Sequence, residues 1–271
     1  MQLGGKVALV TGAGSGIARA TALMMAREGA EVVAVGLGRV GLDKVVREIE
    51  MGGGHAVAAE ADVADSEAVR AAFHQAEAAF GGVDIVFANA GVNGVAAPIQ
   101  DLKPEEWDEV LTTNLKGTFL TVKHAIPMLK ARGGGSIVIT SSVNGTRVFS
   151  MGGLSAYSAS KAGQVAFAKT AALELARHRI RVNVICPGSI ESSIEDGMER
   201  RNLSAAVDPA NAEHVIPLTG RAKGTADQVA RAVLFLASDA ADHITGTEMW
   251  IDGAESLIGE SWPKAVLHGG T

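Results

Sequence analysis

Tyr157 and Lys161 are suited to move a proton together, because they stand four positions apart in a segment of helical period, Ala156–Arg177. On a helix that spacing puts both side chains on one face, with Cβ atoms about 5–6 Å apart. A free phenol titrates near ~10, too high for efficient proton exchange at neutrality, and an adjacent ammonium favours the phenolate and draws that value down. An incidental surface pair would show the same spacing, so the neighbours decide. Upstream, Ser141-Ser142 closes the apolar run Ser136–Thr140, where Ser142 can hydrogen-bond a carbonyl oxygen. A serine at a strand end also serves as a cap or turn former.

A second chemical feature lies near the start, where Thr11-Gly12-Ala13-Gly14-Ser15-Gly16-Ile17-Ala18 joins an apolar strand to a helical pattern. In that setting Gly12 can take backbone angles closed to other residues. Gly14 and Gly16 let the main chain approach a pyrophosphate, and Ser15 and Ile17 lie at a helix N-terminus whose amides carry partial positive charge. A dinucleotide fits this arrangement. The same glycines would also serve a tight turn needed only for its shape.

The elements that must position these residues alternate between short apolar runs and alanine-rich stretches of helical period. This is the signature of βαβ units around a parallel sheet buried on both faces. Seven strands are expected: Val7–Val10, Glu31–Val35, Ala56–Ala59, Val83–Ala88, Ser136–Thr140, Val182–Cys186 and Glu248–Ile251. Helices are expected near Ile17–Glu28, Leu42–Glu50, Glu67–Phe80, Glu105–Lys130, Ala156–Arg177 and Thr225–Ala237. Gly29 and Gly81-Gly82 end helices, and Pro104 with Glu105-Glu106 opens one with charges that suit the helix dipole. The polar segment Gly188–Pro217 shows no clean period and reads as a lid, and Glu260–Thr271 reads as a tail.

Composition excludes several classes of function. The 271 residues carry a net charge of −6 with basic residues scattered, which leaves no footprint for nucleic acid. No apolar stretch approaches the ~20 residues that cross a bilayer, and the N-terminus lacks the pattern of a secretory signal, so a cytoplasmic protein is expected. Cys186 is the only cysteine, placed as a small core residue, and the histidines show no metal-ligand spacing, so no metal site is expected.

With the glycine turn, Ser142 and Tyr157-x-x-x-Lys161 in this order, the chain resembles the short-chain dehydrogenase/reductase family from about Lys6 to Gly253. Asp62-Val63 is similar to the family's adenine-contacting pair, Asn89-Ala90-Gly91 to its Asn-Ala-Gly motif, and Asn114 to its tetrad asparagine. Pro187-Gly188, followed by Ile190, is similar to its nicotinamide-side turn, and Thr245-Gly246-Thr247 with Ile251-Asp252-Gly253 to its small-residue ending. The resemblance implies a Rossmann-type, doubly wound α/β fold: a seven-stranded, mostly parallel sheet with helices on both faces, in one catalytic domain spanning 1–259. It also implies an NAD(P)-dependent oxidoreductase that moves a hydride between a nicotinamide and a small-molecule ketone or secondary alcohol. Tyr157 would be the general acid/base, Lys161 would bind ribose and lower the tyrosine pKa, and Ser142 would hold the substrate oxygen. Asn114 would position a water that leads protons from Lys161 to solvent. A homotetramer, built through the helices around Glu105–Lys130 and Ala156–Arg177, is implied as well.

Three departures from the family pattern bear on this reading. Ala18 stands where a third glycine is usual. Ser142 precedes Tyr157 by two positions more than usual, which places extra residues in Asn144–Gly153 and keeps Ser141 as an alternative. Strand two ends Val35-Gly36-Leu37-Gly38-Arg39, without the acidic residue that would favour NAD. Arg39 tilts the reading slightly to NADP, although it would serve equally as a surface arginine. Candidate substrate contacts are Val143, Asn144, Met151, Ser189 and Ile194. Two competing readings remain, a dinucleotide-binding sensor without turnover and a Rossmann-like methyltransferase.

Overall fold

A computed structural model describes residues 1–149, 152–191, 198–203, 216–220 and 222–258. Its centre is one sheet of seven parallel strands: β1 Val7–Thr11, β2 Glu31–Gly36, β3 Ala56–Glu60, β4 Ile85–Ala88, β5 Gly135–Thr140, β6 Ile180–Pro187 and β7 Glu248–Ile251. The order across the sheet is β3-β2-β1-β4-β5-β6-β7. The sheet is wholly parallel, where a mostly parallel one was expected. Every expected strand is present, and the boundaries move by two residues at most.

The helices are α1 Gly16–Arg27, α2 Arg39–Met51, α3 Ser66–Phe80, α4 Pro104–Val110, α5 Gly117–Ala131, α6 Ser155–Leu175 and α7 Ala226–Ala237. They cover both faces of the sheet. Leu42, Val45 and Ile49 of α2 join Met25 of α1 and Val229, Val233 and Leu236 of α7 in one core. Phe73 of α3, Leu120 and Leu129 of α5, and Val165 and Ala168 of α6 build the other. Strands buried on both sides are continuous apolar runs, as the fully buried sequence Val-Ala-Leu-Val-Thr of β1 illustrates.

Local signals set the helix ends. Asp65 accepts hydrogen bonds from the amides of Glu67 and Ala68 at 2.8 and 3.3 Å to start α3, and Gly81 ends it in a left-handed conformation. α2 begins at Arg39, three residues before its apolar period, so Arg39 is helical instead of lying in the preceding turn.

One expectation is corrected. The single helix expected over Glu105–Lys130 is interrupted by a π-turn at Leu111–Lys116, where the Gly117 amide bonds to the Thr112 carbonyl five residues back. A π-turn inserts one residue into the helical spiral and rotates the side chains that follow, and such insertions concentrate at functional sites. This one contains Asn114.

The order of the strands reverses at β1, which has β2 on one side and β4 on the other. In open parallel sheets the crevice beyond the strand C-termini at such a point receives ligands.

Candidate active site

The glycine turn lies at that crevice. Gly12 has φ +72°, and a Cβ there would come within 3.1 Å of the Ala90 Cα, in the loop that follows β4. Two segments therefore meet where only a glycine allows it. On the other side, a Cβ at Gly41 of α2 would lie 3.4 Å from the Gly14 Cα. Ser15 caps α1 in an extended conformation without a side-chain bond of its own. Ala18 is fully buried in the core under β1, so its methyl group packs where a third glycine was expected.

The Asn89–Gly91 loop is held by hydroxyl groups. Thr11 Oγ1 accepts from the amides of Asn89 and Ala90 at 3.0 and 3.2 Å, and Thr140 Oγ1 donates to Asn89 Oδ1 at 3.0 Å. Gly91 lies against Asn114 and α6, since a Cβ there would fall 3.0 Å from Asn114 Oδ1 and 3.6 Å from Lys161 Nζ. Asp62 is exposed and accepts the Ala64 amide, while Val63 is buried against Gly117. Arg39 is exposed and pairs with Asp43 one helical turn on, at 2.8 Å.

Asn114, Ser142, Tyr157 and Lys161 are all buried and converge beyond the ends of β4 and β5. Lys161 Nζ donates to the Thr140 carbonyl at 2.9 Å and lies 5.4 Å from the centroid of the Tyr157 ring. The two serines have separate tasks. Ser141 Oγ donates to the Lys161 carbonyl at 2.8 Å and so fastens α6 to the sheet. The Ser142 hydroxyl lies near enough to the Tyr157 phenol to draw its pKa down, and it accepts the Asn144 amide at 3.1 Å.

Burial dominates the electrostatics here. It pushes the Tyr157 phenol above its ordinary value, against the opposing effect of the neighbouring Ser142 hydroxyl. It pulls the Lys161 ammonium down to about 8. A lowered tyrosine pKa, expected from the sequence, is therefore not a property of the protein alone. Further positive charge is needed beside the phenol.

Asn114 has a fuller set of partners than its sequence suggests. Its side chain accepts the Val92 amide at 2.8 Å and donates to the Val92 carbonyl at 2.9 Å and to Ser160 Oγ at 3.0 Å. Its own carbonyl accepts from Thr118 Oγ1 at 2.7 Å and Gln164 Nε2 at 2.9 Å.

On the far side of the site, Val143 donates its amide to the Pro187 carbonyl at 3.0 Å. Gly188 lies beneath Asp252 and Glu255, and the Glu255 carboxylate accepts from the Ser189 amide at 2.8 Å and its hydroxyl at 3.1 Å. Ile190 bridges to Gly224. The loop with the extra residues is tethered by Arg147, which stacks 3.6 Å from the centroid of the Trp250 ring. Met151, Ile194 and the tail 260–271 lie outside the described residues, as does much of the expected lid.

The sequence did not reveal a small apolar cluster that packs on Tyr157. It contains Ala96 and Leu154 with Val92, Trp107, Met198 and Leu203, drawn from four separate segments. Its outer part, residues 198–203, is held by two main-chain bonds between Ala96 and Glu199 and Arg201, each 2.9 Å, and by an Arg201–Glu106 ion pair of 2.6 Å. The glutamate had looked like a helix-start signal only.

The glycine cradle, the bare approach at Gly91 and the exposed turn after β2 suit an extended dinucleotide, and comparison with known proteins agrees. Residues 12–254 match a family model described as Enoyl-(Acyl carrier protein) reductase. The chain belongs to the short-chain dehydrogenase/reductase family. It is accordingly an NAD(P)-dependent oxidoreductase acting on alcohols or ketones. Among its relatives in that family is a 3-oxoacyl-(acyl-carrier-protein) reductase of Thermotoga maritima, 38 % identical over 253 residues, covering 93 % of this chain and 98 % of the relative. A cyclohexanol dehydrogenase of an Acinetobacter species is 38 % identical over 249 residues, covering 92 % and 94 %. The crystal structure of a 3-ketoacyl-ACP reductase from Sinorhizobium meliloti is 50 % identical, with a TM-score of 0.90 over 93 % of this chain and 99 % of that one.

Proposed function

We propose that this short-chain dehydrogenase/reductase interconverts an uncharged ketone and its secondary alcohol on a molecule with an apolar body, with Tyr157 as the general acid/base. The observation that carries the reading is the position of the phenol. It lies beside the Ser142 hydroxyl on one side and on another belongs to the apolar cluster that includes Val92, Ala96, Leu154, Met198 and Leu203. A carbonyl oxygen set between the Ser142 and Tyr157 hydroxyls would leave its substituents against that apolar wall, where a charge would be desolvated without a partner.

The dinucleotide, when bound, supplies or accepts the hydride. Gly12, Gly14, Ser15, Gly16 and Ile17 would hold its pyrophosphate, Asp62 and Val63 its adenine, and Asn89, Ala90 and Gly91 the span between. Pro187, Gly188 and Ile190 would hold the nicotinamide side. Arg39 would meet a 2′-phosphate, which supports NADP, because Gly36 and Leu37 leave no carboxylate to repel one.

Within the site, Tyr157 donates its proton to the oxygen as charge develops there, and Ser142 stabilises the same oxygen. Lys161 holds ribose, and its positive charge lowers the cost of the phenolate left behind. We assign Asn114 to the relay as the residue that keeps the Lys161 helix and the Val92 loop after β4 in register, since its polar atoms are engaged by protein groups. We also propose that copies of the chain associate through α5 and α6, where exposed Phe119 lines a groove with Leu111, Leu115 and Phe167 and where Leu173 of α6 is exposed.

The test is a turnover panel with NADPH and NADH, following loss of the reduced nicotinamide signal. Apolar cyclic ketones should exceed sugars and polyols by about tenfold or more in kcat/KM. Binding of dinucleotide with no turnover on any member would favour a sensor instead.

A further inference from the structure

Gln164 stands three residues beyond Lys161 on α6 and is 1 % exposed. Its Nε2 donates to the Asn114 carbonyl at 2.9 Å and to Thr118 Oγ1 at 2.7 Å, and the Thr118 hydroxyl donates to the same carbonyl at 2.7 Å. These three atoms close a triangle over the π-turn. The backbone around it is tightly drawn in. A Cβ at Gly163 would come within 2.9 Å of Leu115, and one at Gly117 within 2.8 Å of Val63. The turn is thus wedged between Val63 and α6, and Gln164 supplies a polar tie across the second of these contacts.

An apolar side chain of the same size would fill this space at less cost. Gln164 Oε1 is buried and has no hydrogen-bond partner among the described residues, an arrangement that disfavours an amide unless its other bonds matter. What the amide contributes is its pair of donors, aimed at Asn114 and Thr118. From Asn114 the connection continues to Val92 through two side-chain bonds and to Ser160, whose hydroxyl donates to the Tyr157 carbonyl at 2.7 Å.

We propose that Gln164 is a positioning residue for the hydride-transfer reaction, acting through Asn114 to keep the Tyr157–Lys161 helix in register with the loop after β4. The proposal rests on the reading of Tyr157 and Lys161 as the proton-transferring pair.

Two variants test it. Gln164→Met keeps the length and removes both bonds. In the cofactor-free protein it should speed hydrogen exchange across residues 111–118 by about tenfold or more while α7 is unchanged. In turnover it should lower kcat by about fivefold or more with KM for the ketone within about twofold. Gln164→Glu keeps the shape, and its carboxyl can donate to Asn114 only when protonated. Its kcat relative to wild type should therefore recover as pH falls. That recovery also decides the matter should Gln164→Met fail to fold. Unchanged exchange in Gln164→Met overturns the proposal, and so does faster exchange with kcat, KM and pH profile all unaltered, which would make Gln164 structural only. Absence of turnover in the wild type would defeat the proposed function, and the exchange measurement would still report on Gln164.

Discussion

Lys161 Nζ lies 5.4 Å from the centroid of the Tyr157 ring yet gives its hydrogen bond to the Thr140 carbonyl at 2.9 Å. The ammonium is close enough to act on the phenol through space, while the sheet holds it in place. In the protein alone, burial outweighs any lowering of the phenol pKa, and the phenol titrates above its ordinary value. Positive charge added beside it by an oxidised nicotinamide is expected to reverse that balance.

Because Tyr157 is the only tyrosine, this reversal can be read directly from tyrosinate absorbance in the near ultraviolet. Titrated without dinucleotide, the midpoint should lie above the ordinary value of ~10, and saturating oxidised dinucleotide should lower it by at least about one unit. An unchanged midpoint would mean that the nicotinamide binds away from the phenol.

Lys161 makes an opposite prediction about stability. Its pKa is about 8 in the folded protein and ~10.4 in an unfolded chain. Below the folded value the group is charged in both states, and the folded state bears the full penalty of a buried ammonium. As pH rises from 8 towards the unfolded value, the unfolded chain holds the extra proton and stability grows. At neutral pH the penalty is on the order of 3 kcal/mol. Lys161→Met should therefore melt no lower than wild type at pH 7, and higher by a few degrees, while turnover is lost. A lower melting temperature would show that the ammonium stabilises the fold.

The end of β2 predicts cofactor choice. Arg39→Ala should raise KM for NADPH about threefold or more and leave that for NADH within about twofold. Leu37→Asp should move preference towards NADH, because a carboxylate there would accept ribose hydroxyls and repel a phosphate. A strong NADH preference in the wild type would remove Arg39 from the cofactor site.

The exposed face of α5 and α6 predicts assembly. Phe119→Asp should lower the solution mass of the wild-type oligomer by at least half, because a carboxylate in a dry interface lacks a partner. A monomeric wild type would contradict this.

Much of the site was legible because its parts are local. The glycine turn, the serine pair and the spacing of Tyr157 and Lys161 each lie within one short segment, and hydrophobic period separated the strands from the helices. The break in the Glu105–Lys130 helix was not legible. No proline or glycine marks residues 111–116, and one inserted residue hardly disturbs an apolar stripe. The wall of Val92, Ala96, Leu154, Met198 and Leu203 was hidden for a different reason, since only the fold brings those segments together. Gln164 read as one more residue of a helix, because the carbonyl it serves belongs to another helix fifty positions away.

The central claim is that Tyr157 transfers the proton, and Tyr157→Phe tests it most directly, because the substitution removes one hydroxyl and keeps the ring in the apolar cluster it shares with Leu154 and Ala96. With dinucleotide affinity measured in parallel, kcat/KM on the preferred ketone should fall by about a thousandfold while dinucleotide binding stays within about threefold. Turnover within about threefold of wild type would contradict the account.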